Sequence, residues 1–223
     1  MSFDAYIFDL DGTLLDTLPD LTAITNMVLE EYDMPTHTSA EVNTYVGNGA
    51  RVLLKRAAPA DTPWDMVDEM LARWKALYPE FGHKYTKPYP DMPETLANLK
   101  DRGAKLAVLS NKFDAATRQV IDLHFPGLFD LVRGECAEIP RKPDPTGLLF
   151  MMDQLGVAPE RTAYVGDSGT DMTVAHAAGA TAIGVTWGYR DVEVLKEANA
   201  DILIQAPADL MGCRRDIRTC EVL

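Results

Sequence analysis

Two carboxylates stand two residues apart at the end of the first predicted strand. The apolar run AYIF at 5–8 contains β-favouring aromatic residues and shows no helical period, which is typical of a strand buried on both faces. Asp9 and Asp11 follow it, and Gly12 permits a sharp turn. Alternate residues of an extended chain point the same way, so the two carboxylates should face one site roughly 6.5 Å apart. This spacing suits a phosphoryl group or a metal ion, although Asp and Gly are also ordinary turn residues.

Other polar residues lie at the ends of later predicted strands or just before a helix. Ser110 follows a strand at 106–109, Asp167 follows a strand at 163–165, and Lys142 lies in a loop that precedes a helix. In open α/β sheets such strand ends meet in one crevice. Carboxylates suit a hard cation such as Mg²⁺, and a hydroxyl with an ammonium group suits phosphate oxygens. Taken singly, Ser110 is also typical of a turn and Lys142 of a solvated loop.

Composition and charge exclude several classes of function. The chain has 223 residues and a net charge of −13, which argues against nucleic acid or an anionic membrane as its partner. No apolar run approaches the roughly 18–20 residues of a membrane span, and the early first strand leaves no room for a signal peptide. The three cysteines, Cys136, Cys213 and Cys220, lack CxxC spacing. We therefore expect a cytoplasmic protein with reduced thiols.

The pattern of elements predicts an α/β fold with a helical insertion. Helical spacing of apolar residues dominates from 17 to 86, with helices predicted at 18–32, 39–46, 51–58 and 64–78. Strands and helices alternate from 87 onward, which implies a doubly wound parallel, Rossmann-like sheet. We thus predict a core formed by 1–16 and 87–223 and an all-α cap formed by 17–86.

Two helix boundaries follow from local signals in the later part of the chain. Asp91, with Glu94 three residues on, resembles a capping box at the start of a helix over 94–102. Pro207 is suited to the first turn of a final helix.

Four motifs together resemble the haloacid dehalogenase (HAD) superfamily of hydrolases. They are DLDGT at 9–13, Ser110, Lys142 and GDSGTD at 166–171, in the order that the family shows. The helical insertion directly after the first motif resembles the smaller cap type of that family. Within the superfamily, SNK at 110–112, VGNG at 46–49 and WGY at 187–189 are most similar to phosphoglycolate phosphatases.

The resemblance implies a mechanism through an aspartyl-phosphate. Asp9 would be the nucleophile, and Asp11 would protonate the leaving oxygen and then deprotonate the attacking water. Mg²⁺ would be held by Asp9, by the backbone carbonyl of Asp11 and by Asp167. Asp171 and Thr13 would support this site from behind.

The same resemblance assigns residues to the phosphoryl group and to the substrate. Ser110 and Lys142 would complete the catalytic set by binding the transferring oxygens, as would Asn111 and the backbone near Gly12. Three cations are candidates for the rest of the substrate: Arg51, Lys55 and Lys112. A basic residue in a cap helix is, however, more often a solvated surface residue than a ligand.

The predicted activity is Mg²⁺-dependent hydrolysis of a small phosphorylated metabolite, with 2-phosphoglycolate the leading candidate. A sugar phosphate mutase similar to β-phosphoglucomutase, a pyrophosphatase and a nucleotidase stay open as alternatives. A non-catalytic phosphate-binding module is a more distant one, because such a protein would be expected to have lost Asp9 or Asp11. Either a monomer or a homodimer is compatible with the sequence.

Overall fold

The core of the protein is a six-stranded parallel sheet. The computed structural model describes residues 2–215, and all statements below concern that part of the chain. The sheet has the order β5-β4-β1-β6-β7-β8. Its strands are β1 (Ala5–Phe8), β4 (Lys105–Phe113), β5 (Leu131–Glu135), β6 (Thr162–Gly166), β7 (Thr181–Val185) and β8 (Ile202–Ile204). The predicted α/β class with a parallel sheet is confirmed.

Within residues 2–215, nine α-helices surround this sheet or lie in the insertion. The insertion contains α1 (Leu18–Glu31), α2 (Ser39–Tyr45), α3 (Gly49–Ala57) and α4 (Trp64–Phe81). The helices of the core are α5 (Met92–Asp101), α6 (Asp114–His124), α7 (Thr146–Leu155), α8 (Gly169–Ala177) and α9 (Val192–Glu197). Short 3₁₀ helices lie at Pro159–Arg161 and Pro207–Met211.

The first strand occupies the centre of the sheet because both of its faces are apolar. All four residues of β1 are buried; Tyr6 and Phe8 join the hydrophobic cluster on one face, and Ala5 and Ile7 join the cluster on the other. β1 pairs with β4 on one side and β6 on the other. β4 and β6 thus lie on opposite sides of β1, and the strand order reverses there. The crevice of a doubly wound sheet forms at the carboxyl end of such a strand.

The inserted helices pack around a hydrophobic cluster of their own. Trp74 and Tyr78 of α4 are buried in it, and both rings contact Phe113 at the end of β4. The chain enters and leaves the insertion through a short antiparallel ribbon formed by β2 (Leu15–Asp16) and β3 (Lys87–Pro88). The boundaries 17–86 of a cap domain stay a prediction, and the ribbon would be its hinge.

Three local predictions were wrong. β4 runs on to Phe113 instead of ending at 109, because its later residues are buried between the core and the insertion. Asp91 has a left-handed backbone (φ +63°) and its side chain makes no capping hydrogen bond. The predicted final helix is a five-residue 3₁₀ helix, and residues 216–223 lie outside the described range.

Two further expectations concern the thiols and the membrane. Cys136 and Cys213 are free thiols, as predicted, whereas Cys220 lies outside residues 2–215. Within that range, none of the helices combines the length and the apolar character that crossing a bilayer requires.

Candidate active site

The turn after β1 places two carboxylates at the centre of the sheet's carboxyl edge. The Asp9 amide donates to the carbonyl of Val165 on β6, which fixes the first residue beyond the strand. Gly12 adopts φ +82°, a left-handed conformation that favours glycine. Its amide donates to the carbonyl of Leu15 and closes the turn. The Gly12 amide is therefore already used within the turn, and phosphate binding by backbone amides near Gly12 stays a prediction.

Three carboxylates converge on one point beside the turn. Each of Asp9, Asp167 and Asp171 offers an oxygen, and these oxygens lie within 4.8 Å of one another. The ammonium group of Lys142 lies 2.9 Å from Asp9 Oδ1 and 2.7 Å from Asp171 Oδ1, and it also donates to the hydroxyl of Tyr164 at 2.8 Å. The predicted convergence of strands 1 and 6 with the loop of Lys142 is thus present.

Burial of this cluster shifts its proton affinities. Burial, helped by Asp171, raises the pKa of Asp9 to about 6 although Lys142 opposes the shift. Burial and the neighbouring carboxylates of Asp171 and Asp9 raise the pKa of Asp167 to about 8. Burial disfavours the ammonium of Lys142, but the two carboxylates beside it outweigh that cost and raise its pKa well above the usual range. These shifts arise because one ammonium group does not offset burial and the mutual repulsion of three carboxylates.

The donor set fits a divalent cation with oxygen ligands. Asp171 is already occupied, since Oδ1 accepts from Lys142 and Oδ2 accepts from the amide and hydroxyl of Ser168. Asp167 Oδ2 accepts from the Tyr189 amide at 2.7 Å. Its other oxygen and the carboxylate of Asp9 are the groups best placed for a hard cation such as Mg²⁺. The contacts of Asp171 with Lys142 and Ser168 favour its predicted role in support of the site, which stays a prediction.

The side chain of Asp11 stands apart from the three converging carboxylates. Its two oxygens lie 2.9 and 3.2 Å from the ammonium of Lys112, and Oδ1 also accepts from the hydroxyl of Thr17 at 2.7 Å. Metal binding by the backbone carbonyl of Asp11 stays a prediction. Its carboxylate is instead held at the entrance to the insertion, where an acid or base could meet a leaving group.

Residues 110–112 form the end of β4, where the pairing with β5 is irregular. Ser110, Asn111 and Lys112 all line the central cavity. The Asn111 amide nitrogen donates to the carbonyls of Gly47 and Lys142, and its oxygen accepts from the Lys142 amide. The predicted contact of Asn111 with phosphate stays a prediction. Its side chain fixes the Lys142 loop and touches the insertion.

The loop after β7 also belongs to the site, although its sequence did not indicate this. The Tyr189 hydroxyl accepts from the Thr17 amide at 2.8 Å, while its own amide holds Asp167. Arg190 donates to the carbonyls of Asn43 and Val46 on the insertion. The WGY motif at 187–189 gave a signal of family membership, yet its residue types alone did not indicate that Tyr189 links a carboxylate to the hinge.

The two cations predicted on α3 lie outside the cavity. Arg51 forms two hydrogen bonds with Asp68 of α4 and stacks over Trp64. Lys55 donates to the carbonyls of Ala60 and Thr62 beyond the end of α3. These partners hold both cations on the outer side of the helix pair, so this arrangement does not support the predicted contact of Arg51 and Lys55 with substrate.

Thr13 was predicted to support the site from behind, but its hydroxyl does not hydrogen-bond to any of the carboxylates described above. Thr13 is buried, and within residues 2–215 its hydroxyl makes no hydrogen bond. Its carbonyl accepts from the indole of Trp187 at 3.1 Å, which ties the turn to the loop of Tyr189. Its support of the site is therefore through the backbone.

The site residues enclose a small cavity of about 50 Å³ between the sheet and the insertion. Polar side chains of the core form its floor: Asp9, Asp11, Ser110, Lys112, Lys142 and Asp167. Apolar side chains of the insertion form its roof: Leu21, Val46, Leu53 and Trp74. A charged floor under an apolar roof suits a small polar ligand that is shielded from water.

Comparisons with known proteins identify the family of the chain. The family model described as haloacid dehalogenase-like hydrolase matches residues 6–185. The chain is 34% identical over 213 residues to phosphoglycolate phosphatase 1 of Pseudomonas aeruginosa, covering 93% of this chain and 78% of that protein. It is also 34% identical to a phosphoglycolate phosphatase of Aquifex aeolicus, covering 92% of this chain and 93% of that one.

A solved structure extends the similarity to the fold. The crystal structure of a predicted phosphoglycolate phosphatase from Haemophilus somnus superposes with a TM-score of 0.88 at 30% sequence identity, covering 95% of this chain and 98% of that one. The fold class is therefore that of these hydrolases. The chain belongs to the haloacid dehalogenase-like hydrolase family and is an enzyme similar to the phosphatases in it.

Proposed function

We propose that this enzyme is a Mg²⁺-dependent phosphomonoester hydrolase that works through an aspartyl-phosphate, with 2-phosphoglycolate as its best candidate substrate. One observation carries the proposal. Asp9 lies beside Lys142 and Asp167, while the separately held Asp11 faces the same cavity. A nucleophile with a cation beside it and an acid nearby is the set that transfer of a phosphoryl group to a carboxylate needs.

The two steps of the reaction are assigned to Asp9 and Asp11. A carboxylate oxygen of Asp9 forms a bond to phosphorus as the ester oxygen leaves, and Asp11 gives that oxygen its proton. Asp11 then takes a proton from water, whose oxygen attacks phosphorus and releases inorganic phosphate from Asp9. Ser110 and Lys142, which line the cavity, would hold the transferring oxygens.

The metal would be bound by oxygen donors of the same edge of the sheet. Asp9 and Asp167 would hold it together with the backbone carbonyl of Asp11, and Asp171 would keep Lys142 in place. When bound, Mg²⁺ supplies charge that reduces repulsion between the anionic nucleophile and the phosphate ester. The fit rests on three converging carboxyl groups that share one ammonium partner, Lys142.

The enclosure of the cavity supports a small substrate. It lies between the charged floor and the apolar roof, so a sugar ring or a nucleoside would need a larger movement of the insertion than a two-carbon ester would. Several relatives are named phosphoglycolate phosphatase, and phosphoglycolate is a two-carbon phosphate ester. Residues 17–86 would act as a cap that closes over such a substrate.

The proposal is tested by phosphate release from a panel of esters. The panel contains 2-phosphoglycolate, a sugar phosphate, a nucleoside monophosphate and pyrophosphate, each with Mg²⁺ and with a chelator. We expect the highest kcat/KM for 2-phosphoglycolate and loss of turnover with the chelator. Phosphate binding without turnover of any ester would instead indicate a non-catalytic module, and a faster sugar phosphate or nucleotide would identify a different substrate class.

A further inference from the structure

We propose that Lys112 determines specificity by binding a carboxylate that stands one carbon away from the ester oxygen of the substrate. This inference rests on the proposed phosphatase function and specifies what the far side of the cavity recognises. The feature that prompts it is a buried ammonium group that the two catalytic steps do not use. Lys112 pairs with Asp11, the proposed acid, whereas the proposed nucleophile Asp9 pairs with Lys142.

The ammonium of Lys112 is held in an almost dry environment. Its side chain is 3% exposed, and its nitrogen lies 5.2 Å from the ring centre of Tyr78. Its carboxylate partner is Asp11, at 2.9 and 3.2 Å. The ammonium therefore lies in a place where charge interactions are strong.

The other two cations that line the cavity are already bound to protein groups. Lys142 lies between Asp9 and Asp171, on the side of the phosphoryl group. Arg190 uses both terminal nitrogens for backbone carbonyls of the insertion. Among the cavity-lining residues of the described chain, Lys112 is thus the cation best placed for a second anionic group.

Geometry sets where that second group must be. Asp11 has to reach the ester oxygen to protonate it, and Lys112 contacts both oxygens of Asp11. Asp11 therefore lies between the two groups: it would contact the ester oxygen on one side and it contacts the ammonium of Lys112 on the other. A carboxylate joined to that oxygen through a single carbon can reach it without moving the phosphoryl group. A longer chain would have to fold back under the roof formed by Leu53 and Trp74.

Energetics favour discrimination against neutral esters. A neutral substrate fills the cavity and removes water but gives Lys112 no new partner. Sites that hold a buried polar group for one substrate reject analogues that lack its counterpart. A charged hydrogen bond of this kind contributes about 1.5–3 kcal/mol, which is roughly 10- to 150-fold in kcat/KM.

The test compares two esters that differ only at the recognised group. In ethyl phosphate a methyl group replaces the carboxylate of 2-phosphoglycolate. For the wild type and for Lys112→Met, the selectivity is the ratio of kcat/KM for 2-phosphoglycolate to that for ethyl phosphate, measured with saturating Mg²⁺. We expect Lys112→Met to lower this ratio by about 10- to 150-fold. Lys112→Arg, which keeps the charge, should retain part of it.

A matched control and the contrary outcomes complete the design. Lys75→Met removes an exposed lysine that lies over the Phe113 ring, outside the cavity, and should leave the ratio unchanged. Equal loss of activity on both esters would overturn the inference, because Lys112 would then only position Asp11. A wild type that hydrolyses neither ester would overturn the proposed function and the inference with it. If thermal melting shows Lys112→Met to be unfolded, Lys112→Gln carries the same comparison.

Discussion

A β-carbon on Gly12 would lie 2.5 Å from Oδ2 of Asp167. The same atom would lie 2.8 Å from the ring of Tyr189, so the turn after β1 is packed directly against a carboxylate of the site. Asp167 is thereby confined between this turn and the Tyr189 amide, which donates to the same oxygen. The absence of a side chain at position 12 is thus part of how the proposed metal ligand is positioned.

Substitution of Gly12 is expected to damage both the fold and metal binding. Gly12→Ala must accept a strained φ of +82° and a clash with Asp167. We expect a loss of about 3 kcal/mol or more in the free energy of unfolding, and weaker Mg²⁺ binding in titration calorimetry.

Gly103 offers a matched control for the backbone strain. It has φ +85°, and a β-carbon there would meet nothing within 4 Å. Gly103→Ala should lose only about 1–2 kcal/mol and should bind Mg²⁺ normally. Equal effects of the two substitutions would show that the contact with Asp167 has no consequence.

The raised carboxyl pKa values predict an unusual dependence of stability on pH. The folded protein favours protonated Asp9 and Asp167, whose pKa values rise from 3.8 to about 6 and about 8. The unfolded chain releases these protons more readily, so the free energy of unfolding of the metal-free protein should fall as pH rises through this window. Metal binding requires the deprotonated carboxylates, so Mg²⁺ should raise Tm more at about pH 8.5 than at about pH 6.

Thermal melts of two proteins test this dependence. In Asp167→Asn the contribution of Asp167 is absent, so the metal-free variant should lose less stability between about pH 6 and about pH 8.5 than the wild type does. Its Tm should also respond little to Mg²⁺. A wild type whose Tm shift with Mg²⁺ is the same at both pH values would contradict the assignment of these carboxylates.

The hydroxyl of Tyr189 is predicted to support the acid through Thr17. It accepts from the Thr17 amide at 2.8 Å, and the Thr17 hydroxyl donates to Asp11. Tyr189→Phe should lower kcat by roughly 5- to 30-fold, which corresponds to about 1–2 kcal/mol. Mg²⁺ affinity should stay the same, because the backbone amide that holds Asp167 is kept. The exposed Tyr85 gives a control in Tyr85→Phe; a matching decrease in both variants would argue against the link.

The sequence was most informative where chemistry and strand ends coincide. A wholly apolar strand followed by Asp9 and Asp11 predicts the centre of a parallel sheet, and the order of strands then brings Lys142 and Asp167 to the same edge. These positions depend on topology, which the alternation of strands and helices largely determines.

The directions of individual long side chains could not be predicted in the same way. Arg51 was expected to point into the cleft, but Asp68 and Trp64 of α4 hold it outside. Asn111 sits in a motif associated with phosphate, yet its amide is used by the backbone of Lys142 and by Gly47. Such outcomes depend on packing between elements distant in sequence, for which a single sequence contains no direct signal.

The central claim is that Asp9 is the nucleophile, and release of phosphate by Asp9→Asn tests it most directly. The amide keeps the shape of the side chain but is a poor nucleophile, so turnover of 2-phosphoglycolate and of an aryl phosphate should fall by at least about three orders of magnitude. Asp101→Asn, at an exposed position, should retain full turnover. A folded Asp9→Asn protein with turnover close to that of the wild type would contradict the account.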